Sequence, residues 1–288
     1  MLKKVKMSRG QLDLLAACPP CQGFSNLRTK NGIRLNRDPR NALVLDVIRL
    51  VRSMRPRSVM LENVAGLARS SRYRALRQGL RSLGYQVICA VLNTADFAVP
   101  QRRKRLVLLA SRLGKPEFAS FARSRKTVRS AIGRLAPPQR SSDLLHNYPV
   151  QRSAKVACLI KRIPRNGGSR SDLGSRAQLR CHRKSDGFRD VYGRMSWDQP
   201  SPTITSGCIN PSKGRFLHPR ANRAITLREA ALLQTFPKRY RFPLAEGGKY
   251  PVALLIGNAL PPEFIRRHAL TLRKSMTTDG TGPRNLPR

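Results

Sequence analysis

Two cysteines stand three residues apart in "LLAACPPCQGFSNLR" (14–28), at the end of a short apolar run. Thiolates can be nucleophiles, metal ligands, redox pairs or lipidation sites, and the surroundings discriminate among these. Leu15-Ala16-Ala17-Cys18 resembles a lipidation box behind a leader with Lys3, Lys4 and Lys6. An export signal needs an apolar core of about 7–15 residues. Only Leu12 to Ala17 are available, and Asp13 interrupts them. A zinc site needs a second cysteine pair at ligand spacing, but Cys89, Cys158, Cys181 and Cys208 are scattered. A redox pair usually opens a helix, which Pro19-Pro20 opposes. The remaining reading places Cys21 just beyond a buried strand, where open α/β sheets carry their ligand crevice. Cys18 is then the last apolar residue of that strand.

A second chemical pair, Glu62-Asn63, closes the apolar run "SVMLENV" (58–64) and should open onto the same crevice. Its alternative is a helix cap for the next segment. The third group is "QRRKR" (101–105), which leads into "RLVLLAS". Alone, such a run is a solvated basic face.

The elements that position these groups follow from hydrophobic period. Residues 11–18 read as a buried parallel strand, and 58–64, 85–93 and 105–111 as three more. Between them, Leu43, Val44, Val47, Ile48 and Val51 repeat at helical spacing, predicting a helix over 39–54 with Asp38 as N-cap and Pro39 first. Tyr73, Leu76, Leu80 and Leu83 mark another helix, closed by Gly84. Alternating strands and helices predict a doubly wound α/β sheet. The last two strands are too closely connected for a crossover, so they should pair antiparallel at its edge. From about 112 to 222 the chain is rich in Arg, Ser, Gly and Pro, a small irregular second domain. Thr226 and Glu229 form a capping box for a helix over 226–236. Residues 252–274 read as an apolar turn, a Gly-Asn break and a final helix, with a disordered tail from Ser275 to 288. Residues 223–274 thus return to the domain begun by 1–111.

The chain has 288 residues, with 57 Lys and Arg against 15 Asp and Glu, a net charge of +42. A field of that size persisting along the chain calls for a polyanionic partner, and nucleic acid is the default. No apolar stretch approaches the roughly 18–20 residues of a membrane span, so a membrane partner is not expected. No metal site is expected either.

"PPCQGFS", "ENV", "VPQRRKR", "SWDQPSPTITSG", "LREAALLQTFP" and "IGNALPP" occur in the order seen in DNA (cytosine-5) methyltransferases, which the chain resembles from about Leu12 to His268. The resemblance implies a Rossmann-like methyltransferase sheet and a target-recognition domain over the variable segment before "SWDQPSPTITSG". It implies transfer of a methyl group from S-adenosyl-L-methionine to C5 of a cytosine flipped out of double-stranded DNA, in the cytoplasm, in the manner of a restriction-modification enzyme. Cys21 would be the nucleophile that adds at C6, and Glu62 would hydrogen-bond or protonate N3. Asn63 would position that carboxyl, Arg105 would bind O2, and Arg103 would support the loop carrying Cys21. Pro20 and Asn258 would touch the cofactor. Gln22, Ser25, Arg28, Lys30, Arg34 and Arg37 would hold DNA as the loop closes.

The family pattern opens with a strand and a Gly-rich loop for the cofactor, and no such loop precedes Cys21. The reading begins near the fourth strand of the expected sheet. It carries the expectation of an incomplete cofactor site, an exposed apolar edge at the first strand, and a complementing N-terminal chain as a further partner. The alternatives are a DNA-binding remnant without catalysis, and one half of a split enzyme.

Overall fold

The computed structural model describes residues 7–20, 42–174 and 190–277. The expected N-cap Asp38 and the tail beyond Thr277 lie outside them.

Four strands form one sheet: β1 (Leu14–Ala17), β2 (Ser58–Val64), β3 (Gln86–Asn93) and β4 (Lys104–Ser111), in the order β1-β2-β4-β3. β1 runs parallel to β2, with Ala17 opposite Leu61, whereas β4 is antiparallel to both β2 and β3. The predicted antiparallel β3–β4 pair is present, and β4 inserts between β2 and β3. β2 and β4 are almost continuously buried, as their unbroken apolar runs require of central strands covered on both faces.

The crossover from β1 to β2 is α1 (Leu43–Met54), whose Val44, Val47, Ile48 and Val51 form one buried stripe. It ends at Arg55, which takes a left-handed conformation (φ 53°) just before Pro56. α2 (Ser71–Ser82) starts where the Ser70 hydroxyl accepts from the Tyr73 N–H and buries Tyr73, Leu76 and Leu80. Gly84, at φ 82°, turns the chain into β3. Both helices pack on the face of β2 and β4 that carries Val59, Leu61, Leu106, Leu108 and Ala110. Side chains alternate along a strand, so Ser58, Met60 and Glu62 point to the other face. There the Ser58 hydroxyl lies 3.7 Å from the Met276 sulfur. The sheet is the predicted α/β layer arrangement.

Two compact units emerge: Met1–Asn93 with Lys104–Ser120 and Arg266–Arg288, and Thr94–Arg103 with Phe121–Ile265. The "QRR" segment belongs to the second unit through the hydrogen bonds of Gln101 and Arg103, and residues 223–265 through apolar side chains that pack there. Its described secondary structure is short: α3 (Val128–Ile132), α4 (Ala154–Arg162), α5 (Leu227–Leu233) and α6 (Lys249–Asn258), with single turns and isolated bridges between. The final helix, α7 (Pro262–Thr277), runs two residues past Ser275.

α5 carries the predicted capping box of Thr226 and Glu229. The expected apolar turn after 252 is instead the helix α6, burying Val252, Ala253 and Ile256. The Gly-Asn break falls at its last turn. Gly257 there has a reason for lacking a side chain, since a Cβ would come within 2.2 Å of the Thr205–Ser206 backbone. The unit is held by a buried cation as well as by apolar packing. The fully buried Arg194 guanidinium donates to the carbonyls of Ile160, Ile163, His218 and Ala221 and to Asn222 Oδ1. These bonds link segments that have no regular sheet to align them.

Candidate active site

Within the first unit, the carboxyl ends of β1 and β2 and the start of β4 bring together Cys18, Pro19, Glu62, Asn63 and Arg105. Glu62 is buried, with its side chain 8% exposed, and its Oε1 lies 2.8 Å from Arg105 Nε. The register explains the pairing. Glu62 faces Val107, and Arg105 sits two residues along β4 on the same face, the diagonal position that a long side chain reaches. Arg105 Nη1 donates to the Lys104 carbonyl at 2.8 Å. Cys18 sits at the opposite side of the carboxylate, with its thiol donating to Glu62 Oε2 at 2.9 Å.

This corrects the reading of Cys18 as an apolar strand terminus. It is exposed, β1 ends at Ala17, and the thiol makes a polar contact. The available signal was its spacing from Cys21 combined with the position of Glu62 on a neighbouring parallel strand. Hydrophobic period alone does not carry that signal.

Asn63 also behaves differently from the expected orienter of the Glu62 carboxyl. Adjacent strand residues point to opposite faces, so its side chain is directed away from that carboxylate. Asn63 Nδ2 donates to the Pro19 carbonyl at 3.0 Å, and Oδ1 accepts from the Val64 N–H at 2.9 Å. It therefore holds the turn that follows Cys18.

"QRRKR" divides by alternation. Gln101 and Arg103 are buried while Arg102 and Lys104 are exposed. Arg103 Nη1 donates to the carbonyls of Ile204 and Gly257 at 3.0 and 3.1 Å, tying the "TITSG" and "IGNALPP" segments together. Gln101 extends the same network, with Nε2 donating to Gln234 Oε1 and Oε1 accepting from the Ile204 N–H. The run is thus a structural tie of the second unit as well as the approach to β4.

Pro20 is exposed beyond β1, and Asn258 is exposed at the end of α6. Cys21, Gln22, Ser25, Arg28, Lys30, Arg34 and Arg37 lie outside the described residues, as does the loop assigned to Arg103's support. The described cysteines elsewhere suit other roles. Cys208 is buried, and burial pushes its thiol up to about 12, which leaves it protonated and inert.

A model of the C-5 cytosine-specific DNA methylase family matches residues 2–274. The chain belongs to that family. Among its relatives, the type II methylase M.HgiDII of Herpetosiphon aurantiacus is 34% identical over 277 residues, spanning 92% of this chain and 77% of that protein. The type II methyltransferase M1.BsuMI of Bacillus subtilis is 32% identical over 269 residues, spanning 91% of this chain and 61% of that protein. Among solved structures, a prophage-encoded Escherichia coli protein assigned as a DNA modification methyltransferase superposes with a TM-score of 0.64 at 19% identity, covering 92% of this chain and 79% of that one. The methyltransferase EhMeth of Entamoeba histolytica gives 0.58 at 14%, covering 92% and 78%. These two likenesses establish the Rossmann-like methyltransferase fold.

Methylases of this family act on DNA, and enzymes of this fold generally take their methyl group from S-adenosylmethionine. β1 runs into Pro19 and Pro20, and no glycine-rich turn follows a strand among the described residues of the methylase. No helix among the described residues is long and apolar enough to cross a membrane.

Proposed function

We propose that the chain is a type II DNA (cytosine-5) methyltransferase, acting in the cytoplasm on a cytosine flipped from duplex DNA and using S-adenosylmethionine as methyl donor. The observation that carries this reading is the buried Glu62 carboxylate, held at a strand end by Arg105 beside the turn that leads to Cys21. A thiolate adding at C6 of cytosine places negative charge on the ring. Cys21 is the proposed nucleophile, and Glu62 the group that hydrogen-bonds or protonates N3 as that charge develops. Arg105 turns Nε to Glu62 and Nη1 to the Lys104 carbonyl. That leaves Nη2 to donate to the cytosine O2. Asn63 steadies the turn through Pro19. Arg103 keeps the "TITSG" and "IGNALPP" segments in register, and its support of the Cys21 loop belongs to the proposal, as do the cofactor contacts of Pro20 and Asn258.

The loop residues Gln22, Ser25, Arg28, Lys30, Arg34 and Arg37 are the proposed phosphate and base contacts, with 112–222 as the recognition domain. A segment or chain carrying a Gly-rich cofactor loop is a further proposed partner. β1, which pairs only with β2 among the described residues, is the strand beside which it would add.

The test separates base activation from methyl transfer. Release of tritium from DNA labelled at cytosine C5, measured without cofactor, reports the Cys21 and Glu62 chemistry alone. Exchange is expected, is abolished by Cys21→Ser, and is unchanged by Cys158→Ser on the exposed face of α4. Exchange that survives Cys21→Ser overturns the nucleophile assignment. DNA binding with neither exchange nor transfer, even with a cofactor-loop chain added, favours the non-catalytic remnant.

A further inference from the structure

We infer that Cys18 is a positioning residue for Glu62, an inference that deepens the proposed reaction and rests on Glu62 acting at the base. A carboxylate at a crevice rim can rotate about its terminal torsion, which is broad and weakly restrained. Here each oxygen is held from a different strand. Arg105 of β4 takes Oε1 at 2.8 Å, and Cys18, just past β1, takes Oε2 at 2.9 Å. The two anchors come from opposite neighbours of β2, and together they define the plane of the carboxyl group.

The thiol's own position is over-determined. Ala17 pairs with Leu61 in the parallel ladder, so Cys18 is delivered beside Glu62 by main-chain hydrogen bonds. The next residue, Pro19, has its carbonyl clamped by Asn63 Nδ2 at 3.0 Å. A thiol is a weak donor, but a charged acceptor strengthens the bond. Packing does not explain this side chain, because Cys18 is exposed.

The arrangement also separates the roles of two cysteines three residues apart. Forming a thiolate at Cys18 would set a second negative charge against Glu62. A thiol that donates to Glu62 is thus set apart from the role of nucleophile.

Two measurements decide the matter. In a Cys21→Ser background, Cys18 alkylation by iodoacetamide at neutral pH, followed by peptide mass spectrometry, should become several-fold faster when Glu62→Gln removes the neighbouring charge. An unchanged rate overturns the contact whether or not the chain has any methylase activity. In the C5 tritium-exchange assay, Cys18→Ala should be about tenfold slower, the usual scale of one hydrogen bond to a charged group. Cys18→Ser, which restores a donor, should recover most of that loss, with the two variants melting at the same temperature. Equal exchange by the alanine and serine variants, in a chain that does exchange, overturns the positioning role. Absence of exchange in the unsubstituted chain overturns the proposed function instead, and the alkylation result still stands.

Discussion

Glu62 and Glu229 are both buried carboxylates beside an arginine, and they are held in opposite ways. Glu229, in the second unit, receives two hydrogen bonds from Arg223 at 2.7 Å each and a third from the Thr226 N–H at 2.8 Å. Its side chain is 1% exposed, with the His218 ring 3.8 Å away. Every one of those groups lies within the eleven residues before it. Glu62 accepts from the Cys18 thiol just past β1 and forms an ion pair with Arg105 of β4, at the carboxyl end of β2. The difference teaches that pairing with arginine does not itself mark a functional acid. A carboxylate whose lone pairs are filled by its own helix cap is a staple. One suspended between strands, held by groups far away in the sequence, is the arrangement on which the proposed role of Glu62 rests.

The sharpest way to break that contrast is to neutralise both acids. Glu62→Gln should lower C5 exchange by about 10²–10⁴-fold, the usual scale for a general acid–base group, since the amide keeps the shape but only one acceptor oxygen and no charge. The matching change, Glu229→Ala, should destabilise the second unit by about 3–5 kcal/mol, because it strands Arg223 beside a buried site. Urea unfolding monitored at Trp197 reads that loss. If the two variants behaved alike in both assays, the contrast would be empty.

Acid offers a third, somewhat smaller test. Burial pushes His218 down to about 4, from an unperturbed value near 6.5. Between those values the unfolded chain binds the extra proton, so the second unit loses stability as pH falls from about 6.5 to 4. The loss is about 3 kcal/mol from this residue. For Glu229, burial raises the carboxyl, but the Arg223 and Thr226 bonds outweigh it and leave the group below its usual value. Its contribution is present above the ordinary carboxylate range and disappears at still lower pH. The two effects follow one another in the same direction. A His218→Gln variant should flatten the first phase and leave the second. The smallest effect is expected at Thr226→Ala, about 1 kcal/mol for a lost N-cap, with Cys21-dependent exchange unaffected.

The features legible in the sequence are those whose physics is local. The α1 stripe of Val44, Val47, Ile48 and Val51, the unbroken apolar runs of β2 and β4, and the Thr226–Glu229 box depend on residues within a turn or two of one another. They were predicted where they occur. Local pattern misread 252–258, where small and apolar residues around Gly257 resembled a turn. Close packing of that glycine on Thr205–Ser206 makes the segment the end of a helix.

Candidate chemistry was legible as residue types: a cysteine after Pro-Pro, an acid closing an apolar run, and an arginine pattern entering a strand. Tertiary structure decided which of them meet. The parallel β1–β2 register brings Cys18 to Glu62, and the antiparallel β2–β4 register brings Arg105 to the other oxygen. Alternation sends Asn63 to Pro19 rather than to the carboxylate. Arg103, two residues from Arg105, ties the second unit together instead. A side chain's type belongs to the sequence. Its partner depends on strand register, which is set by contacts made tens of residues away.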